Sequence, residues 1–169
     1  MSEKENAPSD LSSSFTDNIP EILKKLNISL LVSTYQRGKV IVVRQESDKV
    51  NTHFTNFNRP MGIAVKPNRI SVGCFNSVEN FQNIPDLIPR LEEPDKHDAC
   101  YVPRVTVETG EIDIHEMAWG EKNNLWFINT KFSCLCTLHA EYSFYPQWRP
   151  HFISGLLPQD RCHLNGMAM

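Results

Sequence analysis

A scattered set of side chains, Arg59, Asp113, His115, Glu116, His163 and Asn165, carries the groups most apt for chemistry in this chain. A carboxylate, an amide carbonyl and an imidazole brought together can hold a divalent cation. A cation so held polarises a carbonyl and activates water. Glu116, Asn165 and His115 are the candidate ligands, and a divalent metal ion is the cofactor they imply. The more ordinary use of such groups is to satisfy backbone donors and acceptors at the corners of a sheet. His97-Asp98, with Cys100 close behind, offers further ligands or an acid–base pair. A His beside an Asp in a loop serves equally as a solvated turn cap. Cys134 and Cys136 alternate on a strand, so both thiols face one side. No second Cys or His pair stands at zinc-site spacing, and buried packing is their expected role.

For the first set to converge, distant segments must be spatial neighbours, and internal repetition says that they are. Gly62-Ile-Ala-Val65 recurs as Glu116-Met-Ala-Trp119 and again as Gly166-Met-Ala-Met169. The offsets are 54 residues (62 to 116) and 50 (116 to 166), close to the roughly 40–50 residues of a propeller blade. Each copy sets a small Ala between two apolar residues, which suits the crowded centre of a ring. Lys66-Pro-Asn-Arg69 then turns the chain into Ile70–Cys74, and Gly120–Asn124 turns it into Leu125–Thr130. Leu30–Thr34 matches that second strand. Aligned on this period, Arg59, Asp113 and His163 share one level, Met61, His115 and Asn165 the next, and Glu116 lies one residue further. The repeats run about 28–57, 61–115 and 116–163, with 164–169 opening a further one.

The remaining elements follow from local pattern. Residues 1–17 are polar and acidic with little to bury, the composition of a disordered tail. A helix fits Ile19–Leu26, with Asp17 or Asn18 as cap, Pro20 in the first turn and Lys24-Lys25 at the C-terminal dipole. Its expected buried face is Ile19, Ile22, Leu23 and Leu26. Leu30–Thr34 and Lys39–Val43 around Gly38 read as a hairpin, followed by a strand over 50–55. Arg104–Glu108 and Glu111–His115 around Thr109-Gly110 read as another. Phe132–Leu138 and Pro150–Ser154 are the expected third and fourth strands of their blade, joined by the aromatic stretch Tyr142–Trp148. Trp119, Trp126, Trp148, Phe127 and Phe132 are expected to pack between blades. Residues 83–100, with Pro85, Pro89 and Pro94, form a long insertion between strands. The fold class is all-β, a partial β-propeller of about three blades of antiparallel strands with a disordered tail and one short helix. The competing fold is an antiparallel sandwich whose strands look alike.

The composition narrows the partners. A net charge of −3 with scattered Lys and Arg gives no basic field for nucleic acid. No apolar run reaches the roughly 20 residues that span a bilayer, and no apolar signal core follows the polar N-terminus. These features point to the cytoplasm, as do five cysteines, an odd number read as reduced thiols. Walker, Gly-x-Gly-x-x-Gly and Gly-x-Ser-x-Gly motifs are lacking, so neither phosphate binding nor serine hydrolysis has a motif behind it.

Propellers close with about four to eight blades, so the chain over 18–169 reads as an incomplete ring. Either it is a truncated product, or two copies form a homodimer in which each terminal inner strand completes the other's first blade. The segments His97–Arg104, Ile112–Trp119, Leu125–Cys136 and Asp160–Met169 resemble an uncharacterised bacterial family of conserved hypothetical proteins, a domain of unknown function predicted to be propeller-like. The resemblance covers about residues 15–169. It implies a propeller-like fold and a longer chain, of which this one is an N-terminal fragment, and it implies no activity. Two functions are compatible with these readings. One is a binding or scaffold module with a protein or small-molecule partner; the other is a lactonase-like, metal-dependent hydrolase with an axial cation.

Overall fold

The computed structural model describes residues 13–169, so most of the expected disordered tail lies outside the described residues. Two compact units result, one of residues up to Val32 with Ile41–Phe54, the other of Ser33–Val40 with Thr55–Met169. The structure is mostly β, with three antiparallel sheets and one short helix. Among the described residues no helix is long and apolar enough to cross a membrane.

Helix α1 spans Ile19–Leu26, as the pattern of Pro20 and the basic last turn requires. Asn18 precedes it without a side-chain cap; instead Thr16 Oγ1 donates to Asn18 Oδ1 at 2.7 Å. Asn27 ends the helix in left-handed conformation (φ 51°), and Ile28 N–H reaches back to Leu23 O at 3.1 Å. These bonds satisfy the last carbonyls. The buried face is narrower than expected. Pro20 and Leu23 are buried, whereas Ile22 and Leu26 are 41% and 58% exposed. An i, i+3 pair makes one ridge of the apolar stripe, and only that ridge is covered here.

The first sheet has strands β1 (Leu30–Thr34), β2 (Lys39–Glu46) and β3 (Lys49–Asn56) in sequential order. Gly38 has φ 60°, and a Cβ there would lie 2.8 Å from Phe57 O, so the β1–β2 turn admits only glycine without strain.

The second sheet runs β4 (Ile63–Lys66), β5 (Arg69–Gly73), β6 (Ser77–Asn83), β7 (Tyr101–Glu108). The third runs β8 (Ile114–Trp119), β9 (Leu125–Asn129), β10 (Cys134–Thr137), β11 (Tyr145–Trp148). Each strand pairs antiparallel with the next in sequence. The core joins the two sheets through Ala64, Val78, Ile112, Ile114, Met117, Leu125, Phe127, Cys134 and Cys136. Glycines permit the close approach. A Cβ at Gly62 would stand 2.6 Å from Met117 Cγ, and one at Gly73 would stand 2.5 Å from Ile114 Cγ2.

Several expectations are corrected. Arg104–Glu108 and Glu111–His115 do not form a hairpin, because β7 pairs with β6 and β8 with β9. Thr109 N–H bonds Asn76 O, and Ile112 and Asp113 N–H both bond Phe75 O, at 2.9, 3.2 and 3.1 Å. The chain past Gly110 is thereby captured by the β5–β6 turn and starts a new sheet. The fourth strand of the third sheet is Tyr145–Trp148, inside the stretch read as a connection, while Pro150–Ser154 holds a turn closed by Ile153 N–H to Pro150 O. Pro146 is tolerated because β11 is an edge strand. Trp148 is accordingly 53% exposed and not packed between sheets. Gly166–Met169 is no strand, and its Met167 N–H goes to the Glu116 side chain. A strand exists only through a paired backbone.

β6 was not legible in the sequence. Its polar residues pair across the sheet, with Ser71 Oγ 2.6 Å from Asn80 Oδ1. The long β6–β7 connection holds two short 3-10 turns, Pro85–Arg90 and Pro94–Lys96.

Candidate functional site

The expected convergence of polar side chains occurs at β8. Asp113 enters the strand with φ 55°, and His115 follows with its side chain only 8% exposed. His115 Nδ1 lies 2.8 Å from Asn165 Oδ1 and, as that oxygen can only accept, donates to it. Its Nε2 is 3.6 Å from Asp113 Oδ2. The His163 ring meets His115 edge-on at 4.8 Å, and His163 Nδ1 is 2.6 Å from Asp160 Oδ2. Glu116 Oε2 accepts Met167 N–H at 3.0 Å.

Two further bonds extend the set. Thr130 Oγ1 donates to Leu164 O at 2.8 Å, and Cys162 N–H reaches Ser133 Oγ at 3.3 Å. Residues 160–169 are thus stitched to β8 and to the β9–β10 turn, largely by the side chains that the sequence offers as metal ligands. His115 is brought together with Asp113, His163 and Asn165, while Glu116 meets the backbone at Met167. Among the described residues, however, no three His, Cys, Asp or Glu side chains are grouped to hold an ion. The arrangement orients imidazoles against carboxylate and amide oxygens and holds backbone.

The other candidates lie apart. The Arg59 guanidinium covers the Phe75 ring at 4.7 Å and the Tyr35 ring at 5.7 Å, a cation–π clamp. His97 and Asp98 follow the second 3-10 turn of the β6–β7 connection. Cys100 closes that connection, its N–H on Asn83 Oδ1 and its carbonyl accepting Ile84 N–H. The Cys134 and Cys136 sulfurs are 3.5 Å apart and buried. Their shared hydrogen bond pulls the Cys134 thiol down, and with burial it pushes Cys136 up. Cys74 is pushed up to about 12, first by burial and then by the Glu79 charge. Burial, and less strongly the Glu108 charge, raises Glu79, against the bond it accepts from Cys74.

A second feature had no local signal. A concavity of about 550 Å³ opens between the second and third sheets, walled by residues from β5, β6, β7, β8 and β10. Arg69, Arg104 and Trp119 line it. Only their spatial meeting identifies it, since no two of them are neighbours in sequence.

Neither the curated proteins nor the solved structures contain a match to this chain. The segment from residue 17 to residue 169 matches one family, and the chain belongs to it: DUF4915, a domain of unknown function.

Proposed function

We propose that this chain is a β-propeller-type repeat module that works by binding, as a scaffold or recognition domain. A backbone device that recurs along the chain carries the reading. Arg59, Asp113 and His163 are all left-handed, with φ of 48°, 55° and 42°. Asn58 O accepts Phe75 N–H at 3.0 Å, and 54 residues on (58 to 112) Ile112 O accepts Lys131 N–H at 3.2 Å. Phe75 O then takes Ile112 and Asp113 N–H, as Lys131 O takes Asp160 N–H. The segment entering β8 and residues 160–169 therefore each bond to a turn of the preceding sheet, the latter through Asp160, three residues ahead of His163. Like units in like relation are what a radial repeat demands.

The same contacts favour binding over the axial-metal hydrolase. Glu116 accepts Met167 N–H and His115 donates to Asn165 Oδ1, so both side chains are engaged in holding the next segment. The test is elemental analysis of the purified full chain, with melting curves in Ca²⁺, Mn²⁺ and Zn²⁺ and a lactone hydrolysis assay. No stoichiometric metal, no melting shift and no lactone turnover are expected. One metal per chain, lost in Glu116→Gln together with lactone turnover, would overturn the proposal.

A further inference from the structure

The concavity between the second and third sheets has the chemistry of a ligand site for an anion. Its walls include Arg69 and Arg104 but no Asp or Glu. Neither arginine has an ion-pair partner among the described residues. Lys66 Nζ sits 3.6 Å above the Trp119 ring, and the Arg69 guanidinium stands 5.7 Å from it. Two cations thus share one indole, and Lys66 finds only a neutral oxygen, Asn123 Oδ1, at 2.9 Å. Burial and then the Arg69 charge hold the Lys66 ammonium below the ordinary lysine value. Like charges gathered without a counter-charge favour an anion nearby.

The same wall carries one more polar group. The Trp119 Nε1 donor is buried without an acceptor, although Trp119 forms part of the wall. An orphaned buried donor is costly unless an acceptor reaches it. The rest of the lining decides what sort of anion fits. Asn80, Gln82, Asn123 and Asn124 present amides and Thr137 a hydroxyl. Such groups offer donors and acceptors together, which matches hydroxyl groups. The volume, about 550 Å³, falls within the roughly 300–1,000 Å³ of small-molecule sites.

We propose that this groove binds an anionic carbohydrate, its acid group on Arg69 and Arg104 and its hydroxyls on the amides. The proposal rests on the binding-module reading and names the ligand class. The source of the negative charge, a carboxylate or a phosphate, is left to the probes.

The experiment is calorimetric titration of the full chain with digalacturonate, glucose 6-phosphate, maltose and inorganic phosphate. Digalacturonate or glucose 6-phosphate should bind, whichever carries the fitting acid group, and more weakly as salt rises. Maltose and inorganic phosphate should each bind at least about tenfold more weakly, since a hydrogen bond to a charged group is worth about that factor or more. Arg104→Gln and Arg69→Gln, both at exposed positions, should each weaken the acidic ligand about tenfold. Circular dichroism checks that the variants are folded. The proposal is overturned if neither acidic sugar binds, if maltose or free phosphate binds as tightly, or if both variants bind like the parent. Those failures leave the binding-module reading standing, because it falls only to the metal and lactone result.

Discussion

One added methyl group at Gly73 probes the contact on which the second and third sheets are built. The alanine Cβ would stand 2.5 Å from Ile114 Cγ2 and 2.6 Å from Met117 Sδ. Met117 is flexible and its sulfur can swing away, but Ile114 is β-branched, 1% exposed and fixed on β8. Overpacking of this kind costs about 1–3 kcal/mol. Against it stands the reduced freedom of the unfolded chain, which favours alanine over glycine by about 0.4–1 kcal/mol. Gly155 isolates that second effect, since a Cβ there meets nothing within 4 Å and its φ is not left-handed. Gly73→Ala should therefore melt below Gly155→Ala by about 2–12 °C, for a difference of about 1–3 kcal/mol in a chain of this size. Urea denaturation of both variants gives the free energies. Adding Met117→Ala to Gly73→Ala should recover part of the loss, visible as a coupling above about 0.5 kcal/mol in a double-mutant cycle. If Gly73→Ala is as stable as Gly155→Ala, or if the cycle is additive, the close approach does not hold the sheets.

Two other predictions follow from buried polar contacts. Glu116→Ala removes the acceptor for Met167 N–H, so amides over 160–169 should exchange with deuterium about tenfold faster, as loss of about 1.4 kcal/mol implies. Glu116→Gln keeps a carbonyl and should fall between; an unchanged rate in the alanine variant refutes the stitching role. The Cys74 thiol ionises in the unfolded chain near 9.0 but in the folded one only at about 12. Its folded value is raised, so its contribution is intact below the unfolded value and is lost as pH climbs through that window. Urea midpoints should drop between pH 8 and pH 10.5, and the drop should shrink in Cys74→Ala. An equal drop in both would assign it to other groups.

Much of the local structure was legible because its causes are local. Pro20, Lys24 and Lys25 bounded α1 at Ile19–Leu26, and Gly38 between β-branched runs marked the β1–β2 turn. The recurrence of Gly62–Val65 at Glu116–Trp119 foretold two like-placed strands, each the first of its sheet. Where polar residues make a strand, as in β6, the hydrophobic signal is missing, because Ser71 and Asn80 satisfy each other across the sheet.

By itself the sequence determined the β-rich class, the one short helix and most of the strands. Only the tertiary structure decided what those strands pair with and what the polar side chains do. Thr109-Gly110 permits a hairpin, yet the Phe75 carbonyl, some 35 residues earlier in the chain, takes the following N–H groups. Glu116 has the form of a ligand, yet the backbone of Met167 reaches it. The groove is the extreme case: Arg69, Arg104 and Trp119 come from three strands of two sheets. The physical reason is common to all three. Secondary structure answers to neighbours in the chain, whereas pairing, charge and desolvation answer to neighbours in space.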